Sequence, residues 1–213
     1  MNRVIICDDH KIVREGLKQI INVFSEFEVV AEAESGEALF KILRDSPTDI
    51  VILDVSLTGR NGLEVLKQLK SIYSDIKVLM LSMYPEDQFA IRALKAGASG
   101  YLHKDSAPEV LLEALEKIAQ GKEYLSEQIT KLMFKEMSGG SSELPHKTLS
   151  DREYEVLLYI GEGESISEIA RRLSLSVKTI STYRTRILEK MTLDNNSDMV
   201  KYILLHDLSM AES

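Results

Sequence analysis

The sequence predicts an α/β protein with a second, smaller domain: a five-stranded doubly wound parallel sheet followed by a small all-α unit of four helices with helix-turn-helix organisation. Three observations carry this reading. Five short apolar runs alternate with five amphipathic segments through residue 121; a Gly/Ser/Pro-rich stretch, SGGSSELPHK, occupies 138–147; and only helical periodicity follows it. The 213 residues suit one domain of ordinary size plus a smaller one.

The elements follow in order. VIIC (4–7) precedes a helical pattern over 11–24, and VVAEA (29–33) precedes another over 35–45. IVIL (50–53) is followed by 61–73, KVLMLS (77–82) by 86–96, and SGYLH (99–103) by 107–121. Strands that are apolar almost throughout belong to a parallel sheet covered on both faces, and right-handed crossovers wind it doubly. Ligands of such sheets sit beyond the carboxyl ends of the strands. Residues 124–137 read as one further helix and 138–147 as a linker. Ser150, with Glu153 three residues on, forms a capping box for a helix over 151–161, and three more follow at 165–173, 177–191 and 196–207. The expected domains are therefore 1–123 and 148–213, joined by a linker helix and flexible linker over 124–147.

Composition narrows the function classes. With 44% hydrophobic and 28% charged residues the chain is that of a folded protein. No apolar run approaches the roughly 18 residues of a membrane span, and Met1-Asn2-Arg3 leads straight into a strand, so a cytoplasmic protein without a membrane partner is expected. The single cysteine, Cys7, excludes an internal disulfide or a cysteine-rich zinc site and reads as a small buried hydrophobe. The net charge of −8 argues at first against a nucleic-acid partner. Between 171 and 190, however, Arg171, Arg172, Lys178, Arg184, Arg186 and Lys190 face one acid, Glu189.

The first domain carries its chemistry at the strand ends. Asp8 and Asp9 follow the first strand and Asp54 the third, which brings three carboxylates to one edge of the sheet. Grouped acids repel unless a cation joins them, and an oxygen-rich site with room for water suits Mg²⁺. Ser82 ends the fourth strand and Lys104 follows the fifth. Three carboxylates, a hydroxyl and an ammonium are the parts for phosphoryl transfer to a carboxylate. Taken singly, each residue has a structural explanation as a cap, a turn residue or a solvated charge. All five at the same ends of four strands do not.

On these residues, 3–121 resemble the receiver domain of two-component response regulators, which implies a flavodoxin-like fold. The resemblance makes Asp54 the phosphoacceptor for a sensor histidine kinase, Lys104 and Ser82 its partners in the chemistry, and Ser82 and Tyr101 the switch pair. It implies Mg²⁺ held by Asp9 and Asp54, by Asp8 through water, and by the backbone carbonyl of Ser56. Two positions depart from the pattern: Thr58 stands where proline is usual after the phosphoacceptor, and Met83 follows Ser82 where a small residue is common. Gly59 and Gly62 keep the loop permissive.

In the second domain Ile166, Ile169, Ala170 and Leu173 mark the inward face of one helix. After a Ser-Leu-Ser turn, Val177, Ile180, Ile187 and Met191 mark that of the next. The opposite face of this second helix carries Lys178, Ser181, Thr182, Thr185 and Glu189, with Arg184 and Arg186 flanking. Short polar side chains between cations suit a helix in the major groove of double-stranded DNA. The candidate contacts are Lys178, Thr179, Ser181, Thr182, Arg184, Thr185, Arg186 and Lys190. With TLSDREYEVL (148–157) and EIARRLSLSVKTISTYRTRILEKM (168–191), residues 148–208 resemble the LuxR-family output domain in the NarL/FixJ arrangement. The two resemblances together imply a transcription factor, not an enzyme beyond its own phosphoryl transfer and slow dephosphorylation, that forms a homodimer when phosphorylated. A phosphatase of the haloacid dehalogenase type also forms an aspartyl-phosphate, but its second acid is missing because the residue two after Asp54 is Ser56. A protein-interaction role for the helical domain is the third alternative.

Overall fold

The computed structural model describes residues 1–137 and 144–208. The chain divides into two compact units, 1–135 and 136–213. Residues 138–143 of the expected linker lie outside the described residues.

In the first unit five parallel strands, β1 (Asn2–Cys7), β2 (Phe27–Ala33), β3 (Ile50–Asp54), β4 (Lys77–Ser82) and β5 (Gly100–His103), stand in the order β2-β1-β3-β4-β5. The helices between and after them are α1 (Lys11–Ile21), α2 (Gly36–Asp45), α3 (Gly62–Ile72), α4 (Glu86–Lys95) and α5 (Pro108–Ala119). Alternate strand residues Val4, Ile6, Ile50, Ile52, Leu79, Leu81 and Leu102 form one core with Ile21 of α1 and Leu111, Leu115 and Ile118 of α5. The intervening Ile5, Val51, Leu53, Val78 and Met80 are equally buried and point to the other face, as the two-residue period of a strand requires. Burial on both faces is the reason these runs are apolar throughout. The edge strand β2 keeps Glu28 and Glu32 among its apolar residues.

The strand order reverses at β1, whose neighbours are β2 and β3. A crevice opens beyond the carboxyl ends at such a switch point. Cys7 pairs with Leu53, so Asp8 and Asp54 follow directly on adjacent strands.

Some element limits differ from expectation. α1 stops at Ile21 rather than 24 because Val23 and Phe24 close i to i+3 bonds onto Ile20 and Ile21, tightening the chain into a turn. The further helix, α6 (Glu127–Met137), begins three residues late: Tyr124 bridges Gly100 beside β5 and donates its N–H to Ser99, and the Ser126 hydroxyl then accepts the Ile129 N–H. Pro145–Thr148, of which 145–147 was read as linker, is a short 3₁₀ helix whose buried His146 meets the Tyr202 hydroxyl at 2.8 Å.

The second unit holds α7 (Asp151–Gly161), α8 (Ile166–Arg172), α9 (Val177–Met191) and α10 (Asn196–Leu205). Ser150 and Glu153 form the expected capping box, and Ser165 with Glu168 forms a second. Ser176 and Asn195 cap α9 and α10. α10 ends at Leu205 rather than 207 because Asp207 takes a left-handed backbone (φ 53°).

Gly62, the first residue of α3, matters most to the crevice. A Cβ there would lie 1.9 Å from the Asp54 carbonyl oxygen, whereas one on Gly16 in α1 would meet nothing within 4 Å. Gly62→Ala is expected to lower stability by about 1–3 kcal/mol through forced backbone displacement. Gly16→Ala should raise it by about 0.5–1 kcal/mol through helix propensity. Urea unfolding followed by circular dichroism checks the pair; equal midpoints would contradict the packing argument.

Candidate functional site

Asp8, the residue after β1, and Asp54, the last of β3, are both 1% exposed. Two carboxylates buried side by side require compensation, and Lys104 supplies it: its ammonium lies 2.7 Å from Asp8 Oδ2 and 2.8 Å from Asp54 Oδ2. Lys104 is carried there by β5, whose end is locked to β4 by the Lys104 N–H on the Ser82 carbonyl at 2.7 Å. The other oxygens are oriented by backbone. Ser56 N–H donates to Asp54 Oδ1 at 3.1 Å and His10 N–H to Asp8 Oδ1 at 2.8 Å.

Asp9 completes the group. Its Oδ2 accepts the Thr58 N–H at 3.2 Å and the Thr58 hydroxyl, while His10 Nδ1 lies 2.7 Å from its Oδ1. One oxygen from each of Asp8, Asp9 and Asp54 and a ring nitrogen of His10 all lie within 4.8 Å of one another. Asp8 Oδ2, Asp9 Oδ1 and Asp54 Oδ2 are buried without a directed hydrogen bond; for the Asp8 and Asp54 atoms, proximity to the ammonium is the compensation. Three such oxygens converging in one place fit a hard divalent cation such as Mg²⁺.

The electrostatics follow from burial. Desolvation raises the Asp54 carboxyl to about 6 against the opposing pull of Lys104, with Asp8 adding to the rise. Burial alone would lower the Lys104 ammonium, but Asp54 and Asp8 outweigh it and hold it above its ordinary value. Burial, reinforced by Asp54 and Asp8, pushes the Cys7 thiol far up, which leaves it the inert hydrophobe expected.

Ser82 and Tyr101 are fully buried and are linked through the backbone of one residue, Tyr84. Tyr84 N–H donates to Ser82 Oγ at 2.9 Å, and the Tyr101 hydroxyl donates to the Tyr84 carbonyl at 3.1 Å. The sequence reading named both ends of this link and missed Tyr84 between them. It also missed His10, adjacent to the acid pair, and Arg14, whose guanidinium donates to the Asp8 carbonyl at 2.6 Å and thereby ties α1 to the site. Thr58 was visible only as a departure from proline. No acid occupies position 56, so the dehalogenase-type alternative lacks its second carboxylate.

In the second unit α9 buries Ile180, Ile187 and Met191 as expected, but Val177 is 50% exposed. A helical wheel fixes the face and not how far the supporting helices reach, and Val177 occupies the first position of α9. Lys178, Ser181, Thr182, Thr185 and Arg186 are exposed, and Thr179 is half-buried. Ser176, Lys178, Thr179, Thr182, Tyr183 and Arg186 line a shallow groove. Two expected contacts are engaged within the unit: Arg184 donates to Asn196 Oδ1 at 2.6 Å, and Lys190 lies 2.5 Å from Glu153 Oε2. The turn between α8 and α9 is closed by Ser174 in a left-handed backbone (φ 51°) and by Leu175 N–H on the Ala170 carbonyl.

Comparison with known proteins places a family match on each unit. The response regulator receiver domain family matches residues 4–116, and the luxR family of bacterial regulatory proteins matches 147–203. The response regulator UvrY of Escherichia coli K12 is 32% identical over 214 residues, covering 100% of this chain and 98% of that protein. The oxygen regulatory protein NreC of Staphylococcus epidermidis is 36% identical, with 95% and 96% covered. Among solved structures, RcsB from Salmonella enterica serovar Typhimurium bound to promoter rprA in the presence of the phosphomimetic BeF3- aligns with a TM-score of 0.66, 29% identity, and 96% and 99% of the two chains covered.

Asp54 also contributes a pH dependence to stability. Its folded value is raised from 3.8 to about 6, so between these values the folded state holds a proton that the unfolded state has lost, and stability falls as pH rises through that window. Asp54→Asn removes the ionisation and is expected to raise stability at pH 7 by on the order of 1–2 kcal/mol while leaving it little changed at pH 4. Thermal unfolding at the two pH values checks this, and an equal gain at both would contradict it.

Proposed function

The chain belongs to the two-component response regulators, with a receiver domain followed by a LuxR-family DNA-binding domain, and from that premise we propose that it is a transcription factor controlled by phosphorylation of Asp54. The observation that carries the proposal is the Lys104 ammonium set between Asp8 and Asp54 with Asp9 beside them. Domain limits of 1–123 and 148–213 are part of this reading, supported by family matches over 4–116 and 147–203.

Asp9, Asp54, the Ser56 carbonyl and, through water, Asp8 would hold Mg²⁺, which when bound neutralises charge on the incoming phosphoryl oxygens. The Asp54 carboxylate is the nucleophile. At neutral pH it lies above its value of about 6 and is mostly ionised. Its oxygen forms a bond to phosphorus as the phosphorus–nitrogen bond to the kinase histidine breaks, and the imidazole leaves with a proton from solvent. Lys104 exchanges a carboxylate partner for a phosphoryl oxygen. Ser82 exchanges the Tyr84 N–H for the phosphoryl group, and because the Tyr101 hydroxyl is bonded to the Tyr84 carbonyl, movement of the Tyr84 backbone reaches Tyr101. The altered α4 and β5 surface favours a homodimer, which sets two α9 helices on successive half-sites of DNA.

A small-molecule phosphodonor with Mg²⁺ should label the parent and not Asp54→Asn. Equal labelling of both would sink the assignment. Lys104→Ala is expected to remain folded, yet its phosphorylation should no longer raise DNA affinity; a parental response to phosphodonor would count against the switch.

On the DNA side, Lys178 and Arg186 are exposed, and among the described residues neither has a recorded ion pair. Each is expected to lower the slope of log affinity against log salt by about 1 when changed to Ala, on specific and scrambled duplexes alike. Ser181, Thr182 and Thr185 occupy the face between them and should set sequence preference. Titrations over several salt concentrations test both; a Thr182→Ala variant weakened equally on both duplexes would show the faces to be misassigned.

A further inference from the structure

Of the three carboxylates, Asp9 alone lacks the Lys104 ammonium. Asp8 and Asp54 are each oriented by one backbone N–H and by Lys104. Asp9 is only partly buried, and both hydrogen bonds to its Oδ2 come from one residue 49 positions away, Thr58, through its N–H and its hydroxyl. Thr58 is itself fixed, since the preceding Leu57 is buried in the core at 1% exposed. With two donors on Oδ2, the carboxylate is turned so that Oδ1, buried and without a directed hydrogen bond, lies 2.7 Å from His10 Nδ1 within the cluster that Asp8, Asp9, His10 and Asp54 form. A proline at position 58 would have neither donor.

We propose that Thr58 is a positioning residue for the divalent cation: it holds the Asp9 carboxylate in the orientation that presents Oδ1 to the site before any cation arrives. The inference rests on the reading of this cluster as the cation site. Thr58 touches no reacting atom and acts through Asp9. Partners of this kind characteristically change metal affinity by tenfold or more, because without them the ligand must be ordered at the moment of binding. The hydroxyl also ties the loop after β1 to the loop after β3, so the two strand ends that carry the acids keep their spacing.

The test is Mg²⁺ binding to the full chain without phosphodonor, measured by isothermal titration calorimetry on the parent, Thr58→Val and Thr58→Ser. Valine keeps the shape and the N–H but loses the hydroxyl, and it should bind Mg²⁺ about ten-fold more weakly. Serine restores the hydroxyl and should come within about two-fold of the parent, a rescue that a purely steric role for Thr58 would not produce. Valine equal to the parent, valine tighter than the parent, or serine as weak as valine would each overturn the proposal while leaving the cation site intact. A parent that binds no Mg²⁺ would overturn the cation site and this inference together.

Discussion

The ammonium of Lys104, 2.7 Å from Asp8 and 2.8 Å from Asp54, is the contact on which the first unit's architecture turns. Burying one carboxylate without a partner costs several kcal/mol, and two side by side cost more. The sheet meets that cost by topology. Order reversal at β1 sets the ends of β1 and β3 next to each other, and β5, two strands beyond β3, returns a lysine long enough to span the gap. Gly62 completes the arrangement, since α3 must start so close to the Asp54 carbonyl that no side chain fits.

The second unit solves a different problem, the presentation of a helix. Each of α7, α8, α9 and α10 is started by a side-chain cap, at Ser150, Ser165, Ser176 and Asn195, so the first-turn amides that packing leaves unpaired are met locally. Glu153 serves twice, closing the α7 capping box and pairing with Lys190 of α9. That second bond removes one cation from the basic stretch and uses it to fix the outer helix against α7. Arg184 is similarly drawn to Asn196 at the start of α10. On α9 the exposed cations not drawn into such contacts, Lys178 and Arg186, line the groove.

The sheet, the strand-end acids and the cap at Ser150 were legible because each depends on local pattern: period, polarity at a strand end, or a hydroxyl before a helical run. Val177 was misjudged because burial depends on where the neighbouring helices stop, which one helix's periodicity does not encode. Tyr124 was assigned to a helix because its pairing with Gly100 is long-range. The same holds at the site. Asp54 and Lys104 announce themselves by residue type and place, while Tyr84 contributes only backbone atoms, which no residue identity signals. Thr58 carried a signal in its departure from proline, yet its partner Asp9 sits on a different loop, so only the folded chain joins the two.

Charge explains why these particular positions form one unit. Counted as ionised, three carboxylates against a single ammonium give the site two net negative charges; the rise of the Asp54 carboxyl to about 6 comes first from desolvation, with Asp8 adding to it and Lys104 opposing it. A bound divalent cation would bring the count to neutral, and the fully ionised phosphoryl group then adds one net negative charge when it replaces the Asp54 carboxylate with an acyl phosphate. In the proposed reaction the added charge would appear beside Lys104, whose ammonium pairs with Asp54. A site balanced before modification and unbalanced after it would have a reason to rearrange, and the link from the Ser82 hydroxyl through the Tyr84 backbone to the Tyr101 hydroxyl offers a route from the end of β4 to β5.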